Sequence, residues 1–211
     1  MAKESLSTEQ VKEMLLLVAD RIIAAEQELT DADRNLGDGD HGLGMTRGLT
    51  AVKEKLAGAD FPSIDKVFTT AGMAMMSSMG GASGAIFGTV FRGGGKALAG
   101  VESFGAAELA VFLKAAVDGV MERGGAKPGD KTMVDALYPA AEKAAEETGS
   151  SLVEAAAAAA AAGEAGKEAS VAMIATMGRA KTLGERSIGH PDAGACSVSI
   201  ILKAMHEYVA S

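Results

Sequence analysis

Three aspartates in one short segment are the residues of this sequence best suited to chemistry. Asp33, Asp38 and Asp40 lie within residues 31–42, where several glycines allow the backbone to bring their carboxylates to one point. At about 4 to 5 Å, each pair of like charges costs on the order of several kcal/mol at an effective dielectric constant of about 20, and a hard divalent cation removes that cost. The segment therefore predicts a magnesium site, and the alternative is a solvated acidic turn that caps the following helix.

Glycine-rich loops elsewhere in the chain have the composition of phosphate-binding segments. In residues 80–84, backbone N–H groups at the start of a helix can bind a phosphate, and Ser83 adds a hydroxyl. This run lacks the Gly-Lys-Ser/Thr of a P-loop and the strand of a dinucleotide-binding fold, so a plain turn between helices remains the alternative. Residues 123–133 and 183–195 are also polar and rich in glycine, and ordinary surface turns are the alternative there. Because an antiparallel bundle can place alternate loops at one end, we expect all four loops to form one site.

The elements that must position these loops are α-helices. Alanine supplies about a fifth of the residues, aromatic residues only 4%, and tryptophan is absent, a composition that favours helix over strand. Apolar periodicity and capping signals predict helices over residues 7–22, 45–56, 63–79, 84 onward, 106–122, 132–147, 151 onward and 193–209. Three successive glycines at 93–95 fall inside the fourth helix and indicate close packing rather than a ligand site. We expect an all-α antiparallel bundle of seven or eight helices.

Composition and charge exclude several classes of function. The formal net charge is −8 and the chain has no basic run longer than two residues, so we expect neither nucleic acid nor an anionic membrane surface as a partner. Residues 1–25 lack the pattern of a signal peptide, and the alanine tract at 155–162 is bounded by glutamates. The single cysteine, Cys196, cannot form an internal disulfide, so we expect a cytoplasmic protein.

Four motifs of this chain, in order, closely resemble those of a known family, the nucleotide-binding L subunit or L domain of dihydroxyacetone kinases. The motifs are residues 37–42, 77–84, 127–133 and 184–190, and the resemblance extends over nearly the whole chain. It implies a single L domain over residues 1–211, folded as an eight-helix barrel that binds the nucleotide at one rim. It also implies two magnesium ions held by Asp33, Asp38 and Asp40.

The resemblance further implies which residues contact the nucleotide, ADP or ATP. These are His41, Gly42, Leu43, Gly44, Gly81, Ala82, Ser83, Gly124, Thr132, Met133, Arg179, Asp192, Ala193 and Gly194. The three aspartates and Ser83 are the expected catalytic residues, since placement and charge neutralisation carry most of phosphoryl transfer.

The activity implied by the resemblance is phosphoryl transfer to dihydroxyacetone held by a separate K subunit. Two phosphoryl donors remain open: bound ADP that is recharged by a phosphohistidine protein of the phosphotransferase system, or ATP that exchanges as an ordinary substrate, as in ketose kinases. We expect the first, because the 211-residue chain stands apart from a K domain. An alternative of another class is an ADP-loaded regulatory module that binds a transcription regulator, and a homodimer is also left open.

Overall fold

A computed structural model of the chain describes residues 3–211, which are almost wholly helical. The helices are α1 (Thr8–Ala24), α2 (Glu26–Arg34), α3 (His41–Leu56), α4 (Ile64–Ser78), α5 (Gly81–Ala97), α6 (Ala106–Gly124), α7 (Val134–Glu146), α8 (Leu152–Ser170), a 3-10 helix (Arg179–Ser187) and α9 (Ala193–Ala210). Within these residues the only β pairing is an isolated antiparallel bridge between Leu6 and Phe104. The all-α prediction is confirmed.

Eight of the helices close into a ring. Helix α1 packs on α3, each helix from α3 to α8 packs on the next, and α9 returns to α1. Buried apolar side chains fill the interior of the ring, and Phe68 and Phe112 are in ring contact there with a centroid distance of 4.5 Å. Helix α2 lies outside this order, against α3 and α9. The expected eight-helix barrel is therefore present, with α2 as an addition.

Local signals explain where several helices begin. Ser7 and Gln10 form a capping box at α1, and Ser151 and Glu154 form another at α8, both as predicted. Helix α2 is a correction, because Asp33 was expected in a loop between two helices and lies in the last turn of α2. That helix is polar and buries Leu29 alone, so it lacks the apolar periodicity that marks the other helices.

Small residues let neighbouring helices approach closely, as the sequence predicts. A Cβ added to Gly94 of α5 would lie 2.5 Å from Cδ2 of Phe112 on α6, and one added to Gly95 would lie 2.6 Å from Cβ of Phe68 on α4. On the alanine-rich helix α8, a Cβ at Gly166 would collide with the backbone of Asp135 on α7. The glycine run in α5 therefore serves packing.

The two ends of the described chain lie together. The backbone N–H of Lys3 donates to the carbonyl of Val209 at 3.0 Å, and its ammonium donates to the carbonyl of Tyr208 at 2.9 Å. Since successive ring helices run in alternate directions, this junction lies at the rim where α1 begins and α9 ends. Among residues 3–211, no helix combines the length and the hydropathy needed to cross a bilayer.

Candidate functional site

Four alternate loops meet at the other rim of the barrel. The segments before α3, before α5, before α7 and before α9 together bound a cleft of about 580 Å³. Each of the four contains one of the glycine-rich or acidic stretches singled out in the sequence. The four loops thus come together at one end of the barrel, as expected.

The three aspartates lie close together at one side of this cleft. Asp33, Asp38 and Asp40 each offer a carboxylate oxygen, and the three oxygens lie within 4.8 Å of one another. The half-buried Asp33 is fixed at the end of α2, and its Oδ2 accepts a hydrogen bond from the backbone N–H of His41 at 3.2 Å. Carboxylate oxygens in this arrangement are the ligands that a hard divalent cation such as Mg²⁺ prefers. The donor set therefore fits magnesium.

Arg179 reaches the aspartates from the opposite wall of the cleft. Its guanidinium forms an ion pair with Asp38, and Nη1 lies 3.6 Å from Oδ2 of Asp40. Arg179 follows Gly178, whose φ of 61° lies in the left-handed region that favours glycine. One exposed cation thus sits beside the acidic cluster, where it can also reach an anionic ligand.

The start of α5 forms the wall next to the aspartates. Gly80 is the N-cap residue with φ of 73°, Gly81 follows with φ of 61°, and no side chain caps the helix. The first-turn N–H groups of a helix lack partners within the helix and carry partial positive charge. Because Ala82 and Ser83 are exposed on the cleft, these groups and the Ser83 hydroxyl can bind a phosphate there.

His41 connects two helices beneath the cleft. It is 8% exposed, its Nε2 lies 2.8 Å from Oγ of Ser197 on α9, and its ring stands 5.8 Å from that of Phe87. Burial lowers the pKa of His41, although the charge of Asp33 opposes this change. Burial thus favours the neutral form of this imidazole, which lies on the cleft wall.

The loop before α9 adds a half-buried carboxyl group. Asp192 caps α9, where its Oδ2 accepts a hydrogen bond from the N–H of Ala195 at 2.8 Å. Burial raises the pKa of Asp192 to about 7, and the charge of Asp135 acts in the same direction. Asp135 itself binds the loop before α7, since its carboxylate accepts from the N–H groups of Gly129 and Thr132.

Most of the site residues expected from the sequence line this cleft. They are Asp33, Asp40, His41, Gly44, Gly81, Ala82, Ser83, Thr132, Met133, Arg179, Asp192, Ala193 and Gly194. The others lie beside it. Asp38 pairs with Arg179, Leu43 is 52% exposed, and Gly124 ends α6. Gly42 is buried, and a Cβ there would collide with the carbonyl of Glu26 and with Thr30 on α2.

Sequence reasoning missed several residues that line the cleft, among them Arg47, Phe87, Lys131 and Met177. Arg47 lies three residues after Gly44 on α3, and Phe87 lies four residues after Ser83 on α5. Residues three or four apart share a helix face, so this spacing could have identified both. Lys131 stands inside the third motif, but its contacts are distant in sequence.

Comparison with known proteins identifies the relatives of this chain. The DAK2 domain family matches residues 35–207. The PEP-dependent dihydroxyacetone kinase, ADP-binding subunit DhaL, of Escherichia coli K12 is 39% identical over 203 residues, which cover 95% of this chain and 97% of that protein. The PTS-dependent dihydroxyacetone kinase, ADP-binding subunit DhaL, of Lactococcus lactis is 33% identical over 188 residues, which cover 86% of this chain and 88% of that protein.

Longer kinases are also similar to this chain. The D-erythrulose kinase of Mycolicibacterium smegmatis is 36% identical over 199 residues, which cover 91% of this chain but 34% of that protein. The crystal structure of the dihydroxyacetone kinase from C. freundii in complex with AMP-PNP and Mg²⁺ matches with a TM-score of 0.71 and 25% identity, covering 96% of this chain and 34% of that one. This chain thus spans about a third of the length of these longer kinases. It belongs to the DAK2 domain family, which is the family of the nucleotide-binding L subunit of dihydroxyacetone kinases.

Proposed function

We propose that this chain is the nucleotide-binding subunit of a dihydroxyacetone kinase, with residues 1–211 as one L domain. The observation that supports this most is that one cleft contains both three carboxylates within 4.8 Å of one another and the uncapped N-terminus of α5. The first is suited to divalent cations and the second to phosphate groups, and a magnesium-bound nucleoside phosphate needs both. The relatives named ADP-binding subunits agree with this assignment.

In this proposal Asp33, Asp38 and Asp40 hold two magnesium ions. When bound, such ions neutralise the phosphate oxygens and the charge that develops on them during phosphoryl transfer. The N–H groups of the first turn of α5 and the hydroxyl of Ser83 orient the phosphate to be transferred. Arg179 exchanges its carboxylate partners for the phosphates and balances their charge from the opposite wall.

The remaining nucleotide contacts come from the walls of the cleft. His41, as a neutral imidazole, and Gly44 lie on α3, whereas Thr132 and Met133 lie before α7. The turn formed by Asp192, Ala193 and Gly194 closes the site. Gly81 and Ala82 contribute N–H groups of the first turn of α5, and we place Gly42, Leu43 and Gly124 at the edge of the site. These groups position the nucleotide, since phosphoryl transfer depends mainly on placement and charge.

The substrate and the phosphoryl donor come from other proteins in this proposal. The rim that carries the nucleotide docks on a K subunit that holds dihydroxyacetone. Bound ADP is recharged by a phosphohistidine protein of the phosphotransferase system, in line with relatives named PEP-dependent or PTS-dependent. The single, buried cysteine suits the reducing cytoplasm, in which we place this reaction.

An ATP-dependent ketose kinase is the second candidate, since the erythrulose kinase contains a segment that resembles this chain. Turnover assays separate the two. The chain is mixed with a K subunit and dihydroxyacetone, and either ATP or the phosphotransferase components with phosphoenolpyruvate is added. We expect product only with the phosphotransferase components and phosphoenolpyruvate, and none when the K subunit is omitted. Steady turnover with ATP and the K subunit alone would identify the ATP-dependent enzyme.

Radiolabelled nucleotide provides the matching control. We expect bound ADP to remain on the protein through desalting and to accept phosphate from the phosphohistidine protein. Rapid exchange of ATP into the protein would contradict the proposal that the phosphohistidine protein is the phosphoryl donor. If instead the ADP-loaded chain forms a stoichiometric complex with a transcription regulator and turnover is absent with either donor, the chain is a regulatory module.

A further inference from the structure

Lys131 is a buried cation whose ammonium group, within residues 3–211, donates its hydrogen bonds to backbone carbonyls. It is 1% exposed, and among the described residues it is the single non-glycine residue with a positive φ, 58°. Such a backbone conformation is unfavourable for a residue that carries a side chain, and it persists where the surrounding contacts enforce it. Burial lowers the pKa of Lys131, and the nearby charge of Asp192 opposes that change.

Three backbone carbonyls hold the ammonium group of Lys131. Its Nζ donates to the carbonyls of Ser170 at 2.8 Å, Met173 at 3.1 Å and Ser187 at 2.7 Å. Ser170 is the last residue of α8 and Ser187 the last of the 3-10 helix. An ammonium group has three N–H donors, so all three are used by these carbonyls. Lys131 is therefore not available to bind a phosphate directly, although it lies on the cleft wall.

The three carbonyls lie at both ends of one segment, residues 170–187, here called the Arg179 loop. The loop is also tied together internally: the N–H of Ala175 donates to Oγ of Ser187 at 2.9 Å, and that hydroxyl donates to the carbonyl of Gly184 at 2.7 Å. Asp130, the residue before Lys131, also binds the loop, because Oγ1 of Thr176 donates a hydrogen bond to Oδ1 of Asp130 at 2.6 Å. The loop carries Arg179 to the aspartates.

We propose that Lys131 is a positioning residue of the nucleotide site, which clamps the two ends of the Arg179 loop and so holds Arg179 opposite Asp38 and Asp40. The inference rests on the proposed function, because it assigns Lys131 a role in how that site holds its nucleotide. The clamp acts from beneath the loop and touches neither the phosphates nor the metal. Removing the ammonium leaves these three carbonyls without that donor, and the free-energy cost of opening the loop falls.

The test uses Lys131→Met, which keeps the chain length and removes the donors. Binding of ADP with magnesium is measured by calorimetry. Opening of the loop is measured by hydrogen exchange at two N–H groups, that of Ala175 and that of Gly189, which donates to the carbonyl of Val171 at 2.8 Å. We expect the affinity to fall about tenfold or more and exchange in the loop to become faster, while the ring helices keep their protection. The control is Lys167→Met on α8. Lys167 is half-buried and bound to Glu164 outside the cleft, so its loss lowers stability without changing affinity.

A double-mutant cycle with Arg179→Ala separates positioning from general stabilisation. If Lys131 acts through Arg179, the arginine substitution weakens ADP binding in the unaltered chain and has little further effect in the Lys131→Met variant. Additive losses would overturn the positioning role. Unchanged affinity in Lys131→Met, when the unaltered chain binds ADP with magnesium, overturns the inference alone, whereas absence of such binding by the unaltered chain overturns the proposed function.

A further measurement keeps the inference testable if Lys131→Met does not fold. Lys131→Gln retains an amide donor and undergoes the same measurements, with a smaller loss of affinity expected. In the unaltered chain without nucleotide, the N–H groups of Ala175 and Gly189 must exchange slowly, because the clamp is present before the nucleotide binds. Exchange of both at the rate of an open loop contradicts the clamp, whichever variants fold.

Discussion

At the scale of single residues, the aspartate cluster is the most direct test of the metal site. Replacing Asp38 or Asp40 with alanine removes one hard oxygen ligand, and we expect the affinity for ADP with magnesium to fall by about a hundredfold or more. Both side chains are exposed, so folding should be unaffected. Calorimetry measures the loss, and Asp118→Ala, which removes an exposed aspartate on α6, is the control. Affinity near that of the unaltered chain in both variants removes these residues from the site.

Single residues also differ in whether their place in the site could be predicted from the sequence. The aspartates were predicted because their mutual repulsion is evident from spacing alone, and the structure brings them within 4.8 Å. The role of Lys131 could not be predicted, because its carbonyl partners lie 39, 42 and 56 residues away along the chain. No local pattern encodes such contacts, which arise only when the barrel closes.

At the scale of helices, we expect substitutions of two neighbouring glycines of α5 to change the free energy of unfolding in opposite directions. Gly94→Ala places a Cβ against the ring and the backbone carbonyl of Phe112, so we expect the free energy of unfolding to fall by about 1–3 kcal/mol. Gly93→Ala meets nothing closer than the carbonyl of Ala115 at 3.5 Å, so the higher helix propensity of alanine should raise it by about 0.5–1 kcal/mol. Urea unfolding measures both, and equal stabilities would contradict the close packing of α5 on α6.

The contact between α8 and α9 should make the stability of the protein depend on pH. Burial alone would raise the pKa of Glu164, but hydrogen bonds from Lys167, Ser199 and Lys203 lower it to about 2. A carboxyl group with a lowered folded pKa stabilises the protein above its unfolded pKa, about 4.5, and loses this contribution as the pH falls towards 2. We expect Glu164→Gln to be less stable near neutral pH and to converge with the unaltered chain below about pH 2. A constant difference in unfolding free energy across this range would show that Glu164 does not act through its charge.

Some helices could be predicted from the sequence and others could not. Those with capping boxes or a clear apolar period, such as α1 and α8, were predicted near their true starts. Helix α2 was missed because it buries Leu29 alone, and the 3-10 helix because it is polar and broken at Gly184, where φ is 56°. Both lie beside the cleft. The segments that lack apolar periodicity are thus those that bring Asp33 and Arg179 to the cleft.

For the whole molecule, heat stability reports on nucleotide and metal together. A ligand that binds only the folded chain stabilises it by about 2.7 kcal/mol at a hundredfold excess over Kd. In a chain of this size that raises the Tm by about 5–10 °C. We expect this increase with ADP and magnesium and none with ADP and EDTA. Identical melting curves for both conditions and for the chain alone would support a solvated acidic turn in place of a metal site.

The meeting of the two chain ends at the rim opposite the cleft has a practical consequence. An anchor joined near Ser211 points away from the four loops, since α9 ends at the rim where Lys3 contacts Val209 and Tyr208. A chain immobilised there presents its cleft to the solution. The arrival and departure of nucleotide can then be timed at a sensor surface without the support blocking the entrance. An anchor introduced at Thr182, beside the cleft, should slow both events by obstructing the same entrance.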